Sequence, residues 1–111
     1  MHIVLTGGTG FIGRQLQHFL VSSGHTVTVY TRENRGKNAN ILKSCSSVEG
    51  SLTDSEKINW LTSGCDLVVY CAGSVRGARS KDFFEANVAG PKIFGEALAK
   101  SGGRLLLISS L

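Results

Sequence analysis

The sequence has little of several features on which whole classes of protein depend. Its 111 residues include one proline, and no apolar run approaches the roughly 18 residues that suggest a membrane-spanning helix. Only 18% of the residues are charged, against about 25% in typical soluble domains. No basic segment and cleavage site open the chain, as a secretory signal requires. We therefore expect neither a disordered tail, nor a secreted protein, nor a membrane-spanning one.

Metal and disulfide chemistry is also poorly represented. Cys45, Cys65 and Cys71 cannot all pair, and their spacings of 20 and 6 residues match no zinc or redox motif. The three histidines show no metal-ligand spacing. We expect no metal site and a reducing, cytoplasmic setting.

The excess of positive charge is mild. Twelve Lys and Arg against eight Asp and Glu give a net charge of +4. The basic residues are scattered, whereas a nucleic-acid binder usually gathers them in a stripe with aromatic residues. We expect no nucleic-acid partner, and a small anionic ligand explains the surplus equally well.

Glycine is the residue in excess. The chain has 14 glycines in 111 residues, nearly twice the average usage of about 7%. Because there is no low complexity and no three-residue period, this is neither a linker nor a collagen composition. We expect tight turns within a single domain over residues 1–111, since a chain of this length holds one core.

Short apolar runs alternate with segments of helical periodicity. Pro91 lacks an N–H, so we expect it to kink the last helix or to restart that helix after Gly90. Thr53 and Glu56 have the spacing of a capping box at the start of an earlier helix. The pattern predicts strands at 2–6, 25–30, 45–49, 66–71 and 104–109, and helices at 11–23, 53–61 and 81–100, with a short weak helix at 41–44.

The alternation predicts the fold class. Strands that are apolar on both faces and separated by helices are typical of a parallel sheet covered on both sides. The class is α/β, a Rossmann-type doubly wound parallel sheet. Right-handed crossovers and the glycine-rich first turn favour five strands in the order 3-2-1-4-5.

The strongest motif is TGGTGFIG, between the first strand and the first helix. Its Gly7, Gly10 and Gly13 are spaced three apart. The first permits a sharp turn, the second lets the backbone approach a pyrophosphate, and the third packs the helix against the strand. The free N–H groups of the first helical turn, which includes Phe11 and Ile12, form an anion site with the helix dipole. The alternative is a tight turn without a ligand.

This motif and four others in the same order resemble the extended and atypical short-chain dehydrogenases/reductases, which include nucleotide-sugar epimerases and dehydratases. The other segments are EGSLTD, DLVVYCAG, FFEANVAG and LLISS. The resemblance covers the whole chain. It implies an NAD(P)-dependent oxidoreductase or epimerase that transfers hydride, with nucleotide sugars among its small-molecule substrates. It also implies a homodimer as one oligomeric state, formed partly through the long helix after strand four.

The resemblance assigns roles to individual residues. Cys71, Ala72 and Gly73 match the loop that lies along the cofactor at the end of strand four. Asn87 matches a helix asparagine near the active site; alternatively, it satisfies a backbone group at the helix kink. Ser110 matches the catalytic Ser/Thr, whose hydroxyl hydrogen-bonds the substrate oxygen that gains or loses a proton.

Cofactor choice follows from the charge at the end of strand two. An NAD site usually has Asp or Glu there, which binds the ribose 2′-OH. This chain has Thr31, followed by Arg32, whose planar cation suits a phosphate. We therefore predict NADP over NAD, with Arg35 and Lys37 as secondary contacts. The alternative is that Arg32 is solvated and Glu33 binds the ribose.

Two features of the family pattern are missing. Ser51 stands where the family often has Asp to meet the adenine amino group. The family's general acid/base is the Tyr of a Tyr-x-x-x-Lys pair, which comes soon after strand five, and neither Tyr30 nor Tyr70 is followed by such a lysine. We expect a dinucleotide-binding domain truncated after strand five that binds cofactor weakly and catalyses nothing alone. The alternatives are a non-catalytic NADP-binding regulatory module and a non-binding remnant.

Overall fold

The computed structural model describes residues 1–32, 40–72 and 80–108. Five strands pair in parallel to form one sheet, in the order β3-β2-β1-β4-β5. The α/β class and the strand order predicted from the sequence are confirmed. The strands are β1 His2–Thr6, β2 Thr26–Thr31, β3 Ser46–Glu49, β4 Leu67–Tyr70 and β5 Arg104–Leu107.

Helices connect β1 to β2, β3 to β4 and β4 to β5. They are α1 Phe11–Ser22, α2 Ser55–Thr62, α3 Ser80–Phe84 and α4 Gly90–Ser101, and a π-helical segment at Glu85–Ala89 joins the last two. The short helix predicted at 41–44 is wrong, because these residues form bends and turns. A helix this short is hard to nucleate, and the Leu42 amide donates instead to the side chain of Gln17 at 2.9 Å.

The capping box predicted at Thr53 is also wrong. Asp54 is the N-cap of α2, and its Oδ1 accepts a hydrogen bond from the Lys57 amide at 3.1 Å. The Thr53 amide donates to the hydroxyl oxygen of Ser51 at 3.1 Å. An aspartate in this position satisfies a free helix amide and also places its charge at the positive end of the helix dipole.

Pro91 lies in the first turn of α4, directly after the π-helical segment. Ala89 and Gly90 both have right-handed helical conformation, so the predicted restart after Gly90 is not seen, and the helical backbone continues through this point in a widened form. The Gly90 amide donates to the carbonyl of Glu85, and Pro91 has no N–H to offer the Ala86 carbonyl that follows. The Tyr70 hydroxyl donates to the Ala86 carbonyl at 2.7 Å. Strand β4 thus supplies a hydrogen bond that the proline removes from the helix.

The sheet separates two hydrophobic clusters. Alternate side chains of a strand point to opposite faces, so Val4 of β1 packs in one cluster with Phe94 of α4, while Ile3 and Leu5 pack in the other with Leu20 of α1. The central strands are the best covered. At the edge, Leu106 and Leu107 of β5 are about half exposed, so this strand is less well covered than the strands at the centre.

Tyr30 and Tyr70, the two tyrosines of the chain, lie in the hydrophobic cluster that contains Val4 and Phe94. Their ionisation is expected to limit the stability of the fold at alkaline pH. Tyr30 and Tyr70 are 1% and 2% exposed, and their hydroxyls donate to the carbonyls of Ser51 and Ala86 at 2.6 and 2.7 Å. Burial, with a smaller contribution from the charge of Asp54, raises the pKa of Tyr30 to about 12. Burial raises the pKa of Tyr70 as well.

We expect the free energy of unfolding to fall as the pH rises from about 10, where an unfolded tyrosine ionises, toward the higher pKa values of the folded state. The sign follows because, in this window, the unfolded chain releases protons that the folded chain retains. Urea unfolding at pH values from about 8 to about 11, with tyrosinate absorbance as a second signal, measures the effect. Tyrosinate should appear only together with unfolding. Its appearance in the folded protein at about pH 10 would contradict the prediction.

Candidate functional site

The glycine-rich turn lies at the carboxyl edge of β1, in the centre of the sheet. β1 pairs with β2 on one side and with β4 on the other. The chain runs outward from β1 through β2 to β3 and then crosses to β4. In open α/β sheets, this reversal leaves a crevice outside the carboxyl ends of the strands, and ligands bind there.

Gly7 brings the turn against the end of β4. Its φ of +68° is the left-handed conformation that glycine adopts at no steric cost. A Cβ atom on Gly7 would lie 2.6 Å from the carbonyl carbon of Cys71 and 2.8 Å from the amide nitrogen of Ala72. The Cys71 amide also donates to the Thr6 carbonyl at 3.1 Å. The structure therefore brings Cys71 and Ala72 directly beside the turn.

The other two glycines of the motif have different surroundings. A Cβ on Gly13 would lie 2.0 Å from the Gly7 carbonyl oxygen and 2.6 Å from the Gly8 Cα, so α1 packs directly on the turn. Among the described residues, a Cβ on Gly10 would meet only the Gly7 carbonyl oxygen, at 3.6 Å. These residues therefore leave room in front of Gly10 for a ligand that approaches the backbone.

Helix α1 begins without a side-chain cap. Gly10 is its N-cap, and the Arg14 amide makes the first helical bond, to the Gly10 carbonyl at 2.9 Å. The amides of Phe11 and Ile12 come before that bond, and the first turn holds no acidic residue. These amides and the helix dipole suit a negatively charged group. The open backbone and the positive helix end together fit the pyrophosphate of a dinucleotide.

Gln17 of α1 supports the turn, although the sequence reasoning missed it. Gln17 is fully buried. Its Nε2 donates to the carbonyls of Gly8 and Asn40 at 2.7 and 2.8 Å, and its Oε1 accepts from the Leu42 amide. The signal was a polar residue four positions after Gly13 on the buried face of an amphipathic helix, where such a side chain needs hydrogen-bond partners.

The end of β2 carries Arg32, whose side chain is exposed. Thr31 is in register with Glu49 of β3, so an acidic residue stands on the neighbouring strand rather than at the end of β2. The Lys57 Nζ donates to the Glu49 carbonyl at 2.8 Å. The other residues predicted near the ribose, Glu33, Arg35 and Lys37, lie outside the described residues.

Asn87 lies in the π-helical segment, and its Nδ2 donates to the Phe83 carbonyl at 3.0 Å. This bond is to a backbone group beside the helix irregularity, as in the alternative role for Asn87. Its role near the active site stays a prediction. Gly73 and Ser110 lie outside the described residues.

The described residues around the glycine-rich turn offer little nucleophilic or metal-binding chemistry. Burial raises the pKa of the Cys71 thiol, which disfavours the nucleophilic thiolate at neutral pH. In residues 1–32, 40–72 and 80–108, no group of three or more His, Cys, Asp or Glu is placed to hold a metal ion. Within the same ranges, no helix has the length and apolar character needed to cross a membrane.

Comparison with known proteins gives the family. The model of the NAD dependent epimerase/dehydratase family matches residues 3–111. The chain belongs to this family. The resemblance carried by the five sequence motifs is thereby confirmed, and the site lies in the nucleotide-binding part of the family's domain.

Individual relatives agree with this assignment. The chain is 32% identical over an alignment of 120 positions to dTDP-glucose 4,6-dehydratase from Mycobacterium tuberculosis, and the alignment covers 99% of this chain and 36% of that protein. It is 28% identical over 109 residues to ceramide reductase from Caulobacter vibrioides, covering 98% and 34%. The Bordetella bronchiseptica enzyme WbmG, solved in complex with NAD, superposes with a TM-score of 0.82 at 27% identity, covering 96% of this chain and 36% of that one. The chain thus spans about a third of the length of these relatives.

Proposed function

We propose that this chain is the dinucleotide-binding portion of an oxidoreductase or epimerase that transfers hydride, and that it binds NADP in preference to NAD. The observation that carries the proposal is the turn after β1, where Gly7 holds a left-handed conformation against β4 and α1 starts with uncapped amides. A pyrophosphate fits there because it needs close backbone approach and a positive helix end.

In this proposal, different residues contact different parts of the cofactor. The amides of Phe11 and Ile12 bind the pyrophosphate, and Gly10 leaves it room. Cys71 and Ala72, continued by Gly73, form the wall along which the cofactor runs. When bound, the nicotinamide supplies or accepts the hydride.

Two further residues complete the proposed site, on the strength of the family resemblance. The Ser110 hydroxyl hydrogen-bonds the substrate oxygen that gains or loses a proton, and Asn87 lies near the reacting centre. Without the Tyr-x-x-x-Lys pair, we expect these 111 residues to bind cofactor but to transfer no hydride.

A nucleotide sugar is the proposed substrate class. The support is that WbmG, at 27% identity, was also solved with NAD and UDP, and that a relative at 32% identity is named for dTDP-glucose. A homodimer through the long helix is proposed too, since Phe83, Phe84 and Val88 on that helix are 49 to 57% exposed. The three free cysteines suit a reducing, cytoplasmic setting.

The preference for NADP rests on Arg32. Its guanidinium matches a phosphate in geometry and charge, and a charge-assisted bond of this kind is worth about 1.5 to 3 kcal/mol. We expect NADPH to bind about tenfold more tightly than NADH. Arg32→Ala should remove that advantage and leave NADH binding unchanged.

Isothermal titration with NADPH and NADH measures both affinities. Arg104→Ala is the matched control, because it removes the same charge at the start of β5, on the opposite edge of the sheet. It should change neither affinity by more than about twofold. An Arg32→Ala protein with the original NADPH affinity would exclude the proposed preference.

A further inference from the structure

Gln17 links two segments that flank the candidate site. Each hydrogen of its amide nitrogen is used, one on the Gly8 carbonyl at 2.7 Å and one on the Asn40 carbonyl at 2.8 Å. Its oxygen accepts from the Leu42 amide at 2.9 Å. An apolar side chain of the same size would leave the buried Gly8 carbonyl, and the partly buried groups of Asn40 and Leu42, without this partner.

The bond to Gly8 orients the turn. The structure has no cis peptide bond among its described residues, and in a trans peptide the carbonyl and the following N–H point in opposite directions. Because the Gly8 carbonyl points into the protein at Gln17, the Thr9 N–H points to the other side of the turn. Gln17 therefore sets the direction of a backbone donor in the glycine-rich motif.

The bonds to Asn40 and Leu42 position a second segment. Residues 40–42 belong to the connection between β2 and β3. Asn40 also contacts the turn directly, since its Nδ2 donates to the Thr9 carbonyl at 3.4 Å. Two links, one through Gln17 and one through Asn40, thus tie residues 40–42 to the glycine-rich turn.

We propose that Gln17 is a positioning residue for the dinucleotide, which holds the pyrophosphate-binding turn and residues 40–42 in one fixed arrangement. The inference rests on the proposed function. It places part of the affinity for the cofactor on a buried side chain that acts through the backbone of the turn. Losing Gln17 should weaken NADPH and NADH alike, because both carry the pyrophosphate that the turn is proposed to bind.

The test compares Gln17→Met with Thr62→Val in the same chain. Methionine keeps the length of glutamine without its hydrogen bonds. Thr62 is also fully buried, and its hydroxyl donates to the Ile58 carbonyl at 2.8 Å on α2, so Thr62→Val removes a buried hydrogen bond away from the turn. Titrations are made well below the unfolding temperature of each variant.

We expect Gln17→Met to raise the Kd for NADPH and that for NADH about tenfold each, while Thr62→Val leaves both within about twofold. Equal, unchanged Kd values for Gln17→Met would overturn the inference alone. A loss of affinity shared equally by Thr62→Val would also overturn it, since the effect would then be one of general stability. If the unmodified protein binds neither dinucleotide, the proposed function fails and the inference fails with it.

Asn40→Ala provides a second test in case the Gln17→Met protein does not fold. The Asn40 residue is exposed, so its replacement removes the link to Thr9 without emptying the core. We expect a rise of about threefold in the Kd for NADPH. If Gln17→Met is unfolded and Asn40→Ala binds NADPH as the unmodified protein does, the proposal is overturned.

Discussion

Replacing Gly13 with alanine should destabilise the chain by about 3 kcal/mol or more and remove dinucleotide binding. The added Cβ would lie 2.0 Å from the Gly7 carbonyl oxygen and 2.6 Å from the Gly8 Cα. Both are backbone atoms, so no flexible side chain yields to make room. To avoid this clash, helix α1 must move away from the turn. The movement would expose the hydrophobic cluster that contains Leu20. It would also displace the amides at the start of α1, which are proposed to bind the pyrophosphate.

Urea unfolding of the variant gives the loss of stability, and titration with NADPH gives the loss of binding. Gly95→Ala is the control, because, of the residues that the structure describes, a Cβ at Gly95 in α4 would meet only Leu105, at 4.0 Å. Alanine is the better helix former, so this variant should gain about 0.5 to 1 kcal/mol. Unchanged stability of Gly13→Ala would mean that α1 does not pack on the turn as described.

Replacing Phe94 with alanine should lower the free energy of unfolding by about 3 to 5 kcal/mol. Phe94 is fully buried. Its ring packs edge-on against Tyr30 at a centroid distance of 6.0 Å and against Tyr70 at 5.6 Å. These tyrosines belong to β2 and β4, the strands on either side of β1, so the cavity would open directly beneath the centre of the sheet.

Chemical denaturation of Phe94→Ala and Phe19→Ala tests this. Phe19 lies on α1 and is 65% exposed, so the same substitution there should change stability by no more than about 0.5 kcal/mol. A loss of similar size in the two variants would contradict the prediction. It would show that the packing of α4 on the sheet contributes less than the burial of Phe94 implies.

The errors of the sequence reasoning have a common physical cause. Residues 41–44 were expected to form a helix, yet the Leu42 amide is bonded to Gln17, which lies 25 positions away. The start of α2 was assigned to Thr53 from its spacing to Glu56, yet the neighbouring Asp54 provides the better cap. Each outcome depended on a competition between hydrogen-bond partners, and a local pattern does not contain all the competitors.

The amino-acid sequence by itself determined the α/β class, the strand order and the place of the candidate site, because these follow from apolar periodicity and from where glycine permits a turn. It also predicted that the last helix is irregular near Pro91, since a missing N–H is a local property. Only the tertiary structure decided which side chain holds the turn and which group bonds to the Ala86 carbonyl that Pro91 leaves without a helical partner. The side chains responsible, Gln17 and Tyr70, bond to backbone groups 9 to 25 residues away, and no local pattern of the sequence identifies these partners.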